Sequence, residues 1–371
     1  MMLADQKVPD EFLERFWFQK ASGTSFGLRS CRQKKCQAVS CINTMPEICQ
    51  TPFGSFEMAL GDCMSCGQDL SQRPRLPKWL KKPVVNYTRV HAVKQSLRDH
   101  RLHTICEEGK CPNLGECFER GTATIMVMGD ICTRACRFCA VKTGRPRPLD
   151  PEEPLNTAKQ IHLLGLKMVV LTSVDRDDLD DGGAAHIAEC IRETKRLNPE
   201  TKIEFLTPDF DANSDCIQTV CDAVPDVYSH NIETVERLTP KVRSRAQYRR
   251  SLDVLRYAFH FLKIVKPDGV TKSGIMLGLG ETKDEVIQTL KDLREANVEC
   301  VTMGQYLQPT PKHYPVVEFI EPQRFEEYDD ICRELGFRYS FCGPFVRSSY
   351  MAEQVFENEP MKPKIYVPQV L

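Results

Sequence analysis

From residue 122 onward, short apolar runs alternate with amphipathic segments, and this alternation constrains the fold more than any other feature. The apolar runs, rich in β-branched residues as buried strands are, lie at 124–128, 167–172, 202–206, 227–229, 273–277 and 300–304. The intervening segments have helical periodicity and lie at 157–164, 183–197, 213–223, 245–262 and 282–296. Right-handed crossovers between such units give a parallel sheet. We therefore predict an α/β fold, an incomplete TIM-type barrel of six βα units.

Further elements are predicted outside these units: a helix at about 90–102, a last helix at 322–335 and a strand at 337–342. Thr282 and Glu285 fit a capping box at the start of the helix that follows the fifth strand. In barrels of parallel strands, functional residues gather at the carboxyl ends of the strands. Thr172, Ser173 and Asn231 would lie at such ends.

Three cysteines directly follow the first predicted strand, and we call them the loop triad: Cys132, Cys136 and Cys139. Their intervals of four and three residues bring three thiolates within reach of one iron–sulfur cluster, which cysteine sulfur holds. Only three ligands come from this loop, so one iron of a 4Fe–4S cluster would keep an open coordination position. Zinc is the alternative, but structural zinc sites close with four ligands, and their cysteines usually come in pairs.

A second group of cysteines lies before that strand, and we call it the upstream triad: Cys106, Cys111 and Cys117. Pro112 and Gly115 break helices, so we expect these thiols on an irregular turn that surrounds a cluster. The upstream triad again supplies three ligands, and a fourth must come from elsewhere in the chain. Zinc remains an alternative here on spacing alone. Because the two triads flank one predicted strand, we favour an enzyme with two iron–sulfur clusters.

Residues 1–75 differ in composition from the rest of the chain. They contain few aliphatic residues and six cysteines, namely Cys31, Cys36, Cys41, Cys49, Cys63 and Cys66. We expect this extension to be disordered, since a segment poor in apolar residues cannot form a core. One alternative is a zinc site made by Cys63 and Cys66 with two of the preceding cysteines. Another is that translation starts at Met64.

The chain contains 18 cysteines among 371 residues and carries a formal net charge of −1. So many cysteines indicate metal clusters in a reducing compartment rather than disulfides. A near-neutral charge argues against general nucleic-acid binding, which requires a basic excess. No apolar run approaches the length that spans a membrane, and the first twenty residues lack the features of a signal or transit peptide. We therefore expect a cytoplasmic protein that binds neither nucleic acid nor membrane.

Three weaker patterns are interpreted as structural. The acidic run 175–181 lacks the spacing of an EF-hand calcium loop, and we expect a solvated loop there. Gly278 and Gly280 lack the third glycine of a dinucleotide-binding fingerprint. The remaining cysteines fall on predicted helices or strands and are expected in the core: Cys190, Cys216, Cys221, Cys300, Cys332 and Cys342.

Seven motifs stand out between residues 76 and 351: CEEGKCPNLGEC (106–117), GDICTRACRFCAV (129–141), TSVDRDDLDDGGA (172–184), HNIETV (230–235), GIMLGLGE (274–281), MGQYLQPTPKHYP (303–315) and GPFVRSSY (343–350). In these motifs the chain resembles the lipoyl synthases, a family of radical S-adenosylmethionine (SAM) enzymes. Both cysteine motifs together with the final RSSY are specific to that family. Residues 1–75 match nothing in it.

The resemblance implies a sulfur-inserting enzyme whose cofactors are SAM and two 4Fe–4S clusters. Sulfur would enter at carbons 6 and 8 of an octanoyl group on a protein lysine, drawn from a sacrificial auxiliary cluster. The loop triad would hold the SAM-cleaving cluster, and the upstream triad with Ser349 would hold the auxiliary cluster. The implied SAM contacts are Thr172 and Ser173 at the methionine end, Asn231 and Glu233 near the ribose, and Gly278 and Glu281 beside the adenine.

Composition and resemblance together divide the chain into an extension (1–75), an auxiliary-cluster segment (76–121), the barrel (122–320) and a C-terminal part (321–371). The last part is expected to close over the auxiliary cluster and to end in a flexible tail. Implied partners are octanoylated carrier domains, an electron donor such as flavodoxin or ferredoxin, and a carrier that rebuilds the cluster. The carrier domains belong to acyltransferase subunits of 2-oxoacid dehydrogenases and to the glycine-cleavage carrier protein. Two alternatives remain, another radical SAM sulfur-inserting enzyme of the methylthiotransferase or biotin synthase type, and a zinc-binding module without SAM cleavage.

Overall fold

A computed structural model describes residues 75–82, 87–99, 102–119, 124–350 and 352–356. All of them belong to one unit of the chain, Arg73–Leu371. Residues 1–74 lie outside the described part. The predictions made for 1–75, namely disorder, a zinc site or a start at Met64, therefore fall on residues that the structure does not describe, apart from residue 75. The flexible tail is predicted to follow residue 351. Residues Ala352–Val355 instead form a short 3-10 helix in which Ala352 and Val355 are buried, and from residue 357 onward the predicted tail lies outside the described part.

The strands of the described residues are β1 (His103–Thr104), β2 (Thr124–Val127), β3 (Ile131–Cys132), β4 (Lys142–Thr143), β5 (Met168–Ser173), β6 (Lys202–Leu206), β7 (Val227–Ser229), β8 (Val270–Leu277), β9 (Cys300–Gln305) and β10 (Tyr339–Gly343). Eight of them form one sheet in the order β1-β2-β5-β6-β7-β8-β9-β10. From β2 to β10 all neighbours are parallel, and β1 pairs antiparallel with β2 at one edge. β3 and β4 form a separate short parallel pair.

The α-helices are α1 (Tyr87–Asp99), α2 (Ile105–Glu108), α3 (Leu114–Glu119), α4 (Glu153–Leu164), α5 (Ala184–Leu197), α6 (Ser214–Cys221), α7 (Thr239–Val242), α8 (Tyr248–Val265), α9 (Lys283–Glu295) and α10 (Pro322–Glu334). Helices α4, α5, α6, α8, α9 and α10 each connect two consecutive parallel strands of the sheet. The predicted α/β class and its six βα units are therefore confirmed. The strand predicted at 337–342 joins the same sheet as a seventh parallel strand. Among the described strands, the edges β1 and β10 are not paired with each other, so the barrel is open.

Local sequence explains where several helices begin and end. The predicted capping box is present, since Thr282 Oγ1 accepts from the Glu285 N–H while the Glu285 carboxylate accepts from the Thr282 N–H. Gly165 ends α4 in the left-handed conformation, at φ 59°. The helix predicted at 90–102 lies three residues earlier, at Tyr87–Asp99.

The prediction of an irregular turn around the upstream triad is wrong in part, because short helices flank Cys111. The side chain of Thr104 caps α2 by accepting from the Glu107 N–H. Pro112 precedes α3 and therefore does not interrupt it, and Gly115 lies within its first turn. The helix-breaking tendency of both residues is thus avoided by their positions.

The core lies between the sheet and its helices. Buried residues of β2, β5 and β6 pack with α4, α5 and α6, while those of β8 and β9 pack with α9 and α10. The cysteines predicted in the core are all buried there: Cys190, Cys216, Cys221, Cys300, Cys332 and Cys342. None of the helices in the described residues combines the length and the apolar character needed to cross a membrane.

Residues 344–350, which we call the C-terminal segment, follow β10 and turn back against the sheet. Val346 belongs to a small core cluster with Val270, Cys300 and Phe341. The backbone of Val346 also lies so close to Gly304 of β9 that a Cβ at position 304 would overlap the Val346 carbonyl group. Only glycine at that position therefore allows the C-terminal segment to lie on the sheet.

Candidate active site

The described residues enclose a cavity of about 470 Å³ at the carboxyl ends of the strands. Most of the predicted site residues line it: Cys106, Cys111, Cys132, Cys136, Cys139, Thr172, Ser173, Asn231, Glu233 and Ser349. The two cysteine triads, which a strand separates along the chain, therefore face one space. Arg347 and Ser348 of the C-terminal segment also line this cavity.

Three predicted site residues do not line the cavity: Cys117, Gly278 and Glu281. Cys117 lies on α3, where its backbone N–H donates to the Asn113 carbonyl over 2.9 Å. Burial, and then the neighbouring thiols of Cys106 and Cys111, raise the pKa of its thiol to about 12. The Glu281 carboxylate accepts from the backbone N–H groups of Gly278 (2.5 Å) and Leu279 (2.9 Å). The adenine contact predicted for Gly278 and Glu281 stays a prediction, since this carboxylate is engaged at its own strand end.

Hydrogen bonds to backbone and sulfur atoms fix the loop triad. Cys132 ends β3, and its Sγ accepts from the backbone N–H groups of Arg134 (3.3 Å) and Asp175 (3.4 Å). The Ala135 N–H donates to Ser244 Oγ over 3.1 Å. Because Asp175 follows β5 directly, these bonds place the loop beside the end of that strand.

A second set of contacts holds the other end of the loop, and it comes from the motif at 303–315. His313 Nε2 lies 3.0 Å from the carbonyl oxygen of Cys139. The Tyr314 N–H donates to the Arg137 carbonyl over 2.7 Å, and the Arg137 guanidinium lies 5.3 Å from the centre of the Tyr314 ring. The loop triad is thus positioned by residues from both sides of the barrel.

A buried arginine inside the loop joins it to two strand ends. The Arg134 side chain, only 5% exposed, contacts the carboxylates of Asp177 (2.8 Å) and Asp209 (2.7 Å) and lies 3.3 Å from that of Asp175. Burial opposes ionisation of Asp177 and Asp209, but hydrogen bonds from Arg134 keep the pKa of both carboxyls below its usual range. Burial raises the pKa of Asp175 to about 6, against the attraction of Arg134. The expectation of a solvated loop at 175–181 is therefore wrong for Asp177, which forms part of this ion-pair network.

Burial favours the protonated form of several triad thiols in the protein without clusters. Burial raises the pKa of Cys106 and of Cys132 to about 11 and that of Cys139 to about 12. The metal ligand is the thiolate, so binding of a cluster at either triad must displace these protons. None of the cysteines in the described residues is paired in a disulfide, which leaves all six triad sulfurs available as ligands.

Three buried polar atoms of cavity-lining residues lack hydrogen-bond partners among the described residues: Ser173 Oγ, Asn231 Oδ1 and Asp209 Oδ2. The last of them lies 3.5 Å from the guanidinium group of Arg250, whereas the first two have no charged neighbour of this kind in the described part of the chain. Burying an unpaired polar group costs about 1–3 kcal/mol, so the first two atoms fit a polar ligand that completes their bonding. Gly274 leaves room beside them, because a Cβ there would lie 2.7 Å from Asn231 Oδ1. The cavity wall therefore suits a polar molecule such as SAM.

The upstream triad is joined to the C-terminal segment by contacts across the chain. Asn113 Nδ2 donates to the Phe345 carbonyl over 2.8 Å, and the Tyr350 hydroxyl donates to Glu116 Oε1 over 2.8 Å. Lys82 pairs with Glu116 at 2.6 Å and lies 4.6 Å from the centre of the Phe345 ring. These contacts bring Ser349 to the same cavity as the upstream triad.

Sequence reasoning did not single out several residues that organise the site: Arg134, Asn113, Lys272 and Arg347. Arg134 could have been predicted from the sequence, because it is a basic residue between two cysteines and the acidic run after β5 offers it partners for ion pairs. The strand predicted at 273–277 did not include Lys272. In the structure β8 begins at Val270, and Lys272 is a buried residue of this strand. Asn113 has no local signal, because its partner lies 232 residues away.

The fold and the cysteine loop define the class of the protein. A three-cysteine loop follows the first strand of an open parallel barrel, and the sequence profile of the radical SAM superfamily matches residues 126–293. A second profile, described as the N-terminal domain of lipoyl synthase of the radical SAM family, matches residues 65–111. The crystal structure of methylornithine synthase aligns with a TM-score of 0.46 at 15% identity, covering 71% of this chain and 77% of that one.

Curated relatives define the family within that class. Lipoyl synthase of Marinobacter nauticus is 51% identical over 298 residues, which cover 80% of this chain and 84% of that protein. The mitochondrial lipoyl synthase of Drosophila sechellia is 54% identical over 292 residues, covering 77% of this chain and 76% of that protein. The chain belongs to the lipoyl synthase family.

Proposed function

We propose that this protein inserts two sulfur atoms, at carbons 6 and 8, into an octanoyl group that is amide-linked to a lysine of a lipoyl carrier protein. Its cofactors are SAM and two 4Fe–4S clusters, in keeping with its family. The observation that carries the proposal is that all three cysteines of the loop triad and two of the upstream triad, Cys106 and Cys111, line one cavity. The loop triad would hold the cluster that cleaves SAM. The upstream triad, with Ser349, would hold the cluster that donates sulfur.

The residues around the cavity suit this division. When bound, the loop cluster and SAM supply the one-electron chemistry that breaking an unactivated C–H bond requires, because acid–base groups alone cannot do so. The buried atoms Ser173 Oγ and Asn231 Oδ1 would bind the polar groups of SAM, beside Thr172 and Glu233. Burial raises the pKa of Glu233, against the attraction of Arg243 and a hydrogen bond from the Asn231 side chain.

Apolar side chains in the wall of the same cavity suit the octanoyl chain. Ile105, Val141 and Leu307 are among them and can exclude water from the reacting carbon atoms. We propose that another protein carries the octanoyl-lysine, in keeping with the family to which the chain belongs. We propose the acyltransferase subunits of 2-oxoacid dehydrogenases and the glycine-cleavage carrier protein as those carriers. A flavodoxin or ferredoxin would supply electrons, and a cluster carrier would restore the consumed cluster.

Ser349 would complete the upstream cluster with an oxygen ligand. A serine oxygen is harder and more basic than a thiolate, so on a cluster iron it is more readily protonated and displaced. A displaceable ligand favours release of sulfide from that cluster. The position of Ser349 in the wall of the cavity that Cys111 also lines supports this role.

A cytoplasmic location remains a prediction. One relative is bacterial, whereas another carries the word mitochondrial in its name. Fractionation of cells followed by detection of the full-length chain tests it.

Substitution of one cysteine in each triad tests the proposed function. Cys136→Ala should abolish formation of 5′-deoxyadenosine from SAM, whereas Cys111→Ala should retain it and yield no sulfur on an octanoyl-lysine peptide. Cys216→Ala, in the core away from the cavity, is the control and should retain both products. Iron content should be about eight per chain in the wild type, as two cysteine-held 4Fe–4S clusters require. Lipoyl peptide from Cys111→Ala, or zinc in place of iron, would contradict the proposal.

A further inference from the structure

A fully buried ion pair lies inside the barrel, beneath the cavity wall. Lys272 of β8 is 1% exposed and Glu204 of β6 is 0% exposed, and Lys272 Nζ lies 2.8 Å from Glu204 Oε2. Strand β7 lies between β6 and β8, so the two side chains span about 9.5 Å of sheet at the usual strand spacing. They meet only because both extend over the inner face of the sheet.

Lys272 makes a second contact, which leads out of the sheet. Its ammonium group donates to the backbone carbonyl of Ser348 over 2.5 Å. This carbonyl belongs to the residue that directly precedes Ser349 in the C-terminal segment. The lysine therefore links two barrel strands to the backbone beside the proposed cluster ligand.

Stability alone does not explain this arrangement. Replacing a buried ion pair with apolar residues of similar volume is often neutral or stabilising, because removing two charges from water is costly. A directed ammonium group, in contrast, can fix one carbonyl oxygen in place. The rest of the C-terminal segment is held on the β10 side of Ser348 by Asn113 at Phe345 and by the close approach to Gly304, and beyond Ser349 by the hydrogen bond from Tyr350 to Glu116. Lys272 supplies the contact to the backbone carbonyl that directly precedes Ser349.

We propose that Lys272 fixes the Ser348 carbonyl and thereby places the adjacent Ser349 hydroxyl beside the upstream triad. Lys272 is thus a positioning residue of the sulfur-donor site, and Glu204 holds its ammonium group in place. This inference rests on the proposed function for the role of Ser349. The geometry of the pair itself is independent of that role.

Hydrogen exchange tests the anchoring in the full-length chain before clusters are loaded. Within the C-terminal segment, the N–H groups of Val346 and Tyr350 donate to the carbonyls of Gly343 and Arg347 and report on its order. A double variant, Lys272→Met with Glu204→Leu, removes both charges and leaves no unpaired ion. Exchange of the two amides should accelerate at least about tenfold, as loss of a charge-assisted hydrogen bond predicts.

The matched control removes another lysine–glutamate pair that does not line the cavity. Lys263 lies 2.9 Å from Glu299, and Lys263→Met with Glu299→Leu should leave exchange in 344–350 unchanged. If the first double variant does not fold, Glu204→Gln replaces it, since it keeps the shape and an acceptor for Lys272. In this milder variant, amide exchange should be faster than in the control and slower than in the double variant. Unchanged exchange would overturn the anchoring.

Cluster content tests the consequence for Ser349. After loading, the Lys272→Met/Glu204→Leu variant should lose iron from the upstream cluster while it still forms 5′-deoxyadenosine from SAM. Faster exchange with an unchanged upstream cluster, judged by iron content and Mössbauer spectrum, would overturn the claim that Lys272 places Ser349. A wild-type protein that binds only one cluster would instead contradict the proposed function, whatever the exchange rates are.

Discussion

The two cysteine triads face the same cavity but are built in different ways. The loop triad is held by ion pairs, since Arg134 contacts carboxylates that lie 43 and 75 residues further along the chain, at neighbouring strand ends. The upstream triad is joined to the C-terminal segment by Asn113 and Glu116, whose partners lie 232 and 234 residues away. The ion pairs of the first region form once β2, β5 and β6 are assembled, and His313 and Tyr314 then hold the other end of the loop. The second region requires both ends of the described chain to meet.

This difference matches the two roles that we propose. A cluster that cleaves SAM repeatedly benefits from ligands in fixed positions, because preorganised groups need no rearrangement during the reaction. A cluster that gives up its sulfide must be dismantled and rebuilt, so its surroundings must open. The surroundings of the upstream triad are of this kind, because they consist of single hydrogen bonds, a partly buried lysine–glutamate pair and the C-terminal segment.

Among the substitutions that separate the two triads, removal of Arg134 should have the largest effect on stability and on loading of the loop cluster. Arg134→Met leaves three carboxylates without their shared cation, and loss of one partner of a buried pair costs about 3–5 kcal/mol. We expect a loss of this size in the free energy of unfolding, measured by urea titration of the cluster-free protein. The loop cluster should also fail to load.

The control for Arg134 is an arginine pair on a helix surface. Arg196 contacts Glu193 at 2.7 Å on α5, with its side chain 58% exposed. Arg196→Met should change the free energy of unfolding by less than about 1 kcal/mol, as exposed pairs do. Equal effects of the two substitutions would show that the loop triad does not depend on its buried arginine.

Removal of the Tyr350 hydroxyl should have a smaller and more local effect. Tyr350→Phe takes away one partly buried hydrogen bond to Glu116, which still pairs with Lys82, so we expect a loss of about 1 kcal/mol. The upstream cluster should load less completely, while SAM cleavage continues. Tyr257→Phe, at a tyrosine that is 41% exposed, is the control and should change neither property. Loss of SAM cleavage in Tyr350→Phe would show that the two regions are not separable.

The sequence predicts the features that depend on neighbouring residues. Strand–helix alternation follows from β-branched runs and amphipathic segments, and the capping box at Thr282 follows from two residues three positions apart. The spacing of the loop triad likewise indicates a cluster without knowledge of the fold. The assembly of Ser173 and Asn231 at one edge follows from the parallel arrangement of their strands.

Features that depend on distant residues could not be predicted in this way. Lys272 can be buried because it pairs with Glu204, which lies two strands away in the sheet. Without knowledge of that partner, a lysine beside an apolar run indicates the end of a strand. The short helices around Cys111 were missed for a local reason, since Thr104 caps the first of them and Pro112 precedes the second instead of interrupting it. In each case tertiary contacts or exact position decide against the local tendency.

The origin of the inserted sulfur tests the division between the two triads most directly. Both clusters would be rebuilt in the full-length protein with sulfur-34 sulfide, and one turnover would be run on an octanoyl-lysine peptide with all other sulfur unlabelled. We predict a lipoyl peptide in which both sulfur atoms are sulfur-34, together with loss of the upstream cluster and retention of the loop cluster. A product with unlabelled sulfur, or loss of the loop cluster in place of the upstream one, would contradict the assignment.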